Sequence, residues 1–153
     1  MPAQRPAVIE AAPAKKEDKQ GCWRARLWRK LQDAGIKITD FVGTLPRQGC
    51  GFTYDGENEG HSGFLATNIA RQNQLIGWLS QTKPDVVMVH LGTNDVWSNQ
   101  SPSAILGAFD TLVKQIRTSK ATIKILVSSV LPPKRWKAES REQFTLTTTQ
   151  KNT

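Results

Sequence analysis

The sequence predicts an α/β domain built on a parallel sheet. Two nearly continuous apolar, β-branched runs, Asp85 to Leu91 (DVVMVHL) and Ile123 to Leu131 (IKILVSSVL), have the composition of strands buried on both faces. Stretches with helical apolar spacing precede and separate them. Strands alternating with helices give a parallel sheet joined by right-handed crossovers.

The elements follow in order along the 153 residues. Residues 1–20 are rich in Ala, Pro and Lys and are expected to form a disordered basic arm, within which Ala7 to Ala11 (AVIEA) has the composition for a short strand. From Cys22, the residues Trp23, Leu27, Leu31 and Ala34 recur at helical spacing, and Gly35 ends the segment. Ile38 to Gly43 (ITDFVG) reads as a short strand. Residues 44–62 read as a loop with glycines at 49, 51, 56 and 60. A second helix is expected over about 65–81, with Ile69, Ile76 and Leu79 on one side and Pro84 marking the exit. After DVVMVHL, Ser101-Pro102 supplies an N-cap and a first-turn proline for a third helix. Its stripe is Ile105, Phe109, Leu112, Val113 and Ile116. Pro132-Pro133 ends the last strand, and residues 134–153 read as a polar, disordered tail. The folded part is therefore expected over 21–133, with no internal repeats.

The net charge of +8 raises the question of a nucleic-acid partner. The excess sits in the ends: residues 31–133 carry eight basic and eight acidic side chains. A nucleic-acid face needs basic residues clustered on the folded body, so that partner is not expected. No apolar run approaches the length of a membrane span, and the N-terminus has no apolar core of a secretory signal. Two cysteines, Cys22 and Cys50, are compatible either with separate buried thiols or with one disulfide. Asn99-Gln100-Ser101 is a glycosylation sequon, which matters only in a secreted chain.

Ligands of parallel sheets bind beyond the carboxyl ends of the strands. DVVMVHL is followed there by Gly92-Thr93-Asn94-Asp95. Gly92 permits a sharp turn and close ligand approach. The Asn94 carboxamide offers donors for an oxyanion, worth roughly 3–4 kcal/mol where one such donor is removed. Asp95 is suited to bracing the loop through backbone N–H groups, although Asn and Asp are also ordinary turn residues. Upstream, Glu59-Gly60-His61-Ser62-Gly63 leads into the second helix, where a glycine N–H is a good anion donor. The competing reading is a plain Gly-rich loop. His61 and Ser62 are adjacent and their side chains are expected to diverge, so they are not read as a base and nucleophile.

Residues Cys22 to Pro133 carry DFVG, the EGHSG loop and HLGTND in an order and spacing that resemble the SGNH (GDSL-like) hydrolases. Within these the chain is similar to fungal carbohydrate esterases of the acetylxylan esterase type. The resemblance implies a three-layer α/β/α sandwich with a parallel sheet, flavodoxin-like, incomplete at both ends. It implies an esterase without metal or organic cofactor, acting as a monomer on acetylated polysaccharide or another small ester. It assigns the oxyanion hole to the Gly63 N–H and the Asn94 side chain, with Gly92 and Asp95 supporting the loop. It also implies a Cys22–Cys50 disulfide and an extracellular setting. His90 stands where the family often has His, and its place on a buried strand reads as a packed, hydrogen-bonded core histidine.

Two family blocks are not found. The nucleophilic Ser of GDS belongs just before Cys22, where the chain reads KKEDKQG, and the first Ser is Ser62. The DxxH block that supplies the base is missing, since the only histidines are His61 and His90. Without an alcohol activated by imidazole there is no acyl-enzyme route. Two histories fit: a truncated gene product, or an inactive relative that keeps a sugar groove. Loss of the first block is also expected to open a gap beside DVVMVHL, with AVIEA as the stretch available to fill it. An unrelated flavodoxin-like binding domain would need a phosphate loop, and no G-x-G-x-x-G occurs.

Overall fold

A computed structural model describes residues 5–10, 22–47 and 49–128. Its sheet has four strands in the order β2-β1-β3-β4: β1 is Pro6–Glu10, β2 Glu59–Gly60, β3 Val86–His90 and β4 Lys124–Val127. All three pairings are parallel. The helices are α1 (Trp23–Asp33), α2 (Ala66–Arg71), α3 (Gln74–Thr82), α4 (Thr93–Trp97) and α5 (Pro102–Ser119).

The chief correction concerns the arm expected over residues 1–20. Pro6–Glu10 is an inner strand, paired along its whole length with β3 from Pro6↔Val86 to Glu10↔His90. Ala7, Val8 and Ile9 are 3%, 1% and 2% exposed. Residues 7–10 of the AVIEA stretch thus fill the expected gap, and the folded body begins before residue 21. The remainder of the arm, apart from Arg5, lies outside the described residues, as do 129–131 of the last expected strand and the tail over 134–153.

Alternation along the strands sends side chains to two faces. Ile9, Val87 and Val89 pack against Ala66, Ile69, Leu75, Leu79, Ala108, Leu112 and Ile116 of α2, α3 and α5, which is the main core. The other face carries Val8, Met88, His90 and Leu126. With Trp23 of α1 and Ser128 they line a cleft of about 470 Å³. His90 is therefore exposed rather than packed in the core, because its register position places it on this open face.

Three other expectations change. ITDFVG makes no strand: Val42 forms a single parallel bridge to Ala7, with its N–H donating to the Pro6 carbonyl at 3.0 Å. The helix expected over 65–81 breaks at Asn73, whose φ of 54° is left-handed, giving α2 and α3. The break resets the helical phase, so Ile76 is 50% exposed while Ile69 and Leu79 remain in the core. In α1 the most buried residues are Arg24 and Ala25, with Leu27 and Leu31 only half-buried. Its C-terminus closes as the glycine implied: Gly35 (φ 79°) donates to the Gln32 carbonyl and Ile36 to that of Leu31. Ser101 caps α5 by accepting the Ala104 N–H at 3.2 Å. Cys22 and Cys50 are joined in a disulfide with a Cα–Cα distance of 5.6 Å.

Candidate functional site

The site is built at the carboxyl end of β3. Leu91 is buried, and Gly92 (φ 97°) turns the chain directly into α4. A side chain at this φ is strained, which is why the position suits glycine. α4 is short and holds Asn94, Asp95 and Val96 inward. Val96 packs with Ile105 of α5.

Asp95 is fully buried and anchors the arrangement. Its carboxylate accepts the Ala66 N–H at 2.8 Å, the Thr67 N–H at 3.0 Å and the Thr67 hydroxyl at 2.7 Å. These backbone donors belong to the first turn of α2, where no intrahelical acceptor exists. One carboxylate thus locks the start of α2 to α4. The loop Glu59 to Leu65 feeds that start, so it is held over the end of β3.

Asn94 lies beside this loop. It is 8% exposed, and its Nδ2 donates to the Phe64 carbonyl at 3.1 Å. Phe64 follows Gly63, whose φ of 80° makes the turn into α2. Gly63, Gly92, Asn94 and Asp95, distant in sequence, are brought to one end of the sheet.

The structure adds a network that the sequence reading did not single out. Glu59 is 1% exposed. It accepts the Thr44 N–H at 2.9 Å and the Thr44 hydroxyl at 2.6 Å, and its Oε1 lies 2.7 Å from His61 Nε2. The His61 ring stacks between Phe64 (centroids 4.8 Å apart) and Trp78 (4.3 Å). His61 is thus committed to Glu59 and to ring packing, and it braces the Gly63 turn from below. The Glu-x-His spacing was the available signal, because residues two apart share a side in extended backbone.

Among the described residues no group of three or more His, Cys, Asp or Glu is placed to hold a metal ion. No described helix is long and apolar enough to cross a membrane.

Comparison with known proteins bears on the family and the fold. The model of the GDSL-like Lipase/Acylhydrolase family matches residues 13–152. Among solved structures, an acetyl esterase mutant with acetate ion is 28% identical, with a TM-score of 0.75, over 94% of this chain and 69% of its own. A carbohydrate esterase family 3 protein from Talaromyces cellulolyticus has the same identity, TM-score and coverage. A Clostridium thermocellum family 3 carbohydrate esterase is also 28% identical with a TM-score of 0.75, over 97% of this chain and 70% of its own. No curated protein matches. The parallel sheet, the helices on it and a family match across nearly the whole sequence lead to one assignment: this chain belongs to the GDSL-like lipase/acylhydrolase family of ester hydrolases.

Proposed function

We propose that the crevice beyond β3 binds the acetyl ester of a carbohydrate, with the Gly63 N–H and the Asn94 side chain as its oxyanion donors. The observation that carries this reading is the Asn94–Phe64 hydrogen bond, which sets the amide beside the glycine turn. In acyl transfer the carbonyl oxygen gains negative charge as its carbon becomes tetrahedral. Fixed donors stabilise that charge without having to reorganise. Asp95 and Glu59 supply the fixity, each through three hydrogen bonds. Similarity to a carbohydrate esterase and an acetyl esterase supports the substrate class.

The same reading makes the chain catalytically impaired. The segment between β1 and α1 contains neither Ser nor Thr, so no alcohol is at hand there for an acyl-enzyme step. This observation also favours a second reading, a non-catalytic carbohydrate-binding relative that uses the same crevice. In either case the protein works without metal or organic cofactor, as a monomer and outside the cell. The disulfide supports an oxidising compartment.

Two assays test the proposal. An activated acetate ester is expected to show no significant turnover, and acetylated xylan oligosaccharides are expected to bind more tightly than deacetylated ones. Asn94→Ala removes that preference. Robust hydrolysis abolished by Asn94→Ala, with Ser62 unlabelled by a serine-directed phosphonate, would overturn the impairment.

A further inference from the structure

Near Asn94, folding leaves two large side chains uncovered. Trp97 is 61% exposed and Phe64 is 37% exposed. Trp97 lies three residues beyond Asn94 on α4, hence on the same side of that helix. Phe64 adjoins Asn94 through the 3.1 Å bond to its carbonyl. Asn94 thus shares α4 with one exposed aromatic residue and is hydrogen-bonded to the backbone of the other.

The backbone that carries Trp97 and the ring of Phe64 are both held. Beyond Trp97 the chain turns sharply through Asn99 (φ 59°). The Ser98 N–H donates to the Asn94 carbonyl at 2.8 Å and the Gln100 N–H to that of Asp95 at 2.9 Å. The Phe64 ring is backed by His61, which Glu59 and Trp78 hold. Side chains presented from a held backbone cost a ligand less ordering entropy on binding.

The surroundings define the ligand. Residues 60–70 and 91–109 contain a single Asp, Glu, Lys or Arg, namely Asp95, which is fully buried. The exposed groups there are aromatic rings, hydroxyls and amides such as Ser98 and Asn99. Within these two segments an anionic or cationic ligand finds no exposed countercharge. A pyranose offers an apolar C–H face for a ring and a polar rim for amides and hydroxyls, which is the pairing of apolar walls with few polar groups that sites for neutral ligands use.

We propose that Trp97 and Phe64 form a stacking recess that receives the neutral pyranose ring bearing the ester, so that they select the sugar while Asn94 meets the acyl group. The proposal rests on the carbohydrate-ester reading above and deepens it. Trp97 is the residue to test, because its exposure makes replacement harmless to folding, which an unchanged melting temperature checks.

The test is calorimetric titration of the wild-type chain, Trp97→Ala, Trp97→Phe and Asn94→Ala with xylotetraose, its acetylated form and methyl octanoate. Trp97→Ala is expected to weaken both saccharides about tenfold, as loss of one well-packed aromatic contact does. Trp97→Phe should recover part of the loss, and Asn94→Ala should lower only the advantage of the acetylated form. Wild-type affinity for both saccharides in Trp97→Ala overturns the recess and leaves the functional reading standing. A loss confined to methyl octanoate shows an acyl-chain site and overturns it too. Failure of the wild-type chain to bind either saccharide at millimolar concentration refutes the carbohydrate reading itself, and the recess with it.

Discussion

The Asp95 carboxylate caps a helix to which it does not belong. Its three donors lie at Ala66 and Thr67, and all its oxygen atoms are buried. Asp95→Asn puts an NH2 group against at least one of these donors, so a buried N–H loses its acceptor. The expected cost is about 2 kcal/mol, read as a lower urea midpoint. A second residue-scale effect concerns pH. Burial pushes the Asp55 carboxyl above its ordinary value of 3.8, Asp40 and Glu57 add to this, and the Phe41 N–H at 2.5 Å works against it. As pH rises through 3.8, the unfolded chain loses this proton first. Stability then falls until the folded group also ionises. Asp55→Asn keeps an acceptor for Phe41 and removes the penalty. Its urea midpoint should exceed wild type at neutral pH, and the difference should vanish below 3.8. Asp85 works the other way. The Lys120 ammonium at 2.6 Å holds it low, so its contribution is present above 3.8 and lost as pH falls through the lowered value. That pair is half exposed, and its effect is small. At this scale Asn94 and Asp95 were legible because their position follows directly from a recognisable strand. Glu59 and Trp97 were not, since burial of the one and exposure of the other are set by distant residues.

Elements were legible where their ends carry local chemistry. Ser101-Pro102 starts α5 and Gly35 ends α1 through hydrogen bonds among neighbours in sequence. Features that depend on a distant partner were hidden. Leu45 and Asn58 form an isolated antiparallel bridge, and Val42 bridges Ala7, so the chain around DFVG is clamped from two sides without becoming a strand. Gly43 sits between these clamps. A Cβ there would lie 2.1 Å from the Asn58 carbonyl carbon and oxygen, backbone atoms that the two 3.0 Å bonds between Leu45 and Asn58 hold in place. Gly43→Ala is therefore expected to cost about 3 kcal/mol in urea unfolding. Gly49→Ala, with nothing within 4 Å of its added Cβ, should change stability by about 0.5 kcal/mol or less. The disulfide is another such clamp. It closes a 28-residue separation between the start of α1 and the Gly-rich loop. Replacing both cysteines by Ser should cost about 3.6 kcal/mol, the chain-entropy value for a loop of this length.

For the whole molecule, the order β2-β1-β3-β4 makes five residues near the N-terminus the hinge of the sheet. Composition misleads here, because Ala, Pro and Lys dominate residues 1–20 and mask one short apolar strand. The strand becomes visible only when the sheet needs a partner for β3 on the side away from β4. Ile9 shows what is at stake. It is 2% exposed, belongs to the core shared with α2, α3 and α5, and pairs with Val89 on one side and Glu59 on the other. Ile9→Ala should cost about 3 kcal/mol through lost burial and the cavity left behind. Ile9→Asp is more severe: it buries a carboxylate with no cation in the apolar cluster, a change of several kcal/mol that approaches the whole stability of a domain. Loss of near-ultraviolet dichroism and of a cooperative melt is the expected outcome. Leu126→Asp on β4 is the control, since Leu126 is 54% exposed and the new charge stays in water. If Ile9→Asp melts like wild type, the N-terminal strand is not the centre of the sheet, and the placement of the site beyond its neighbour β3 loses its support.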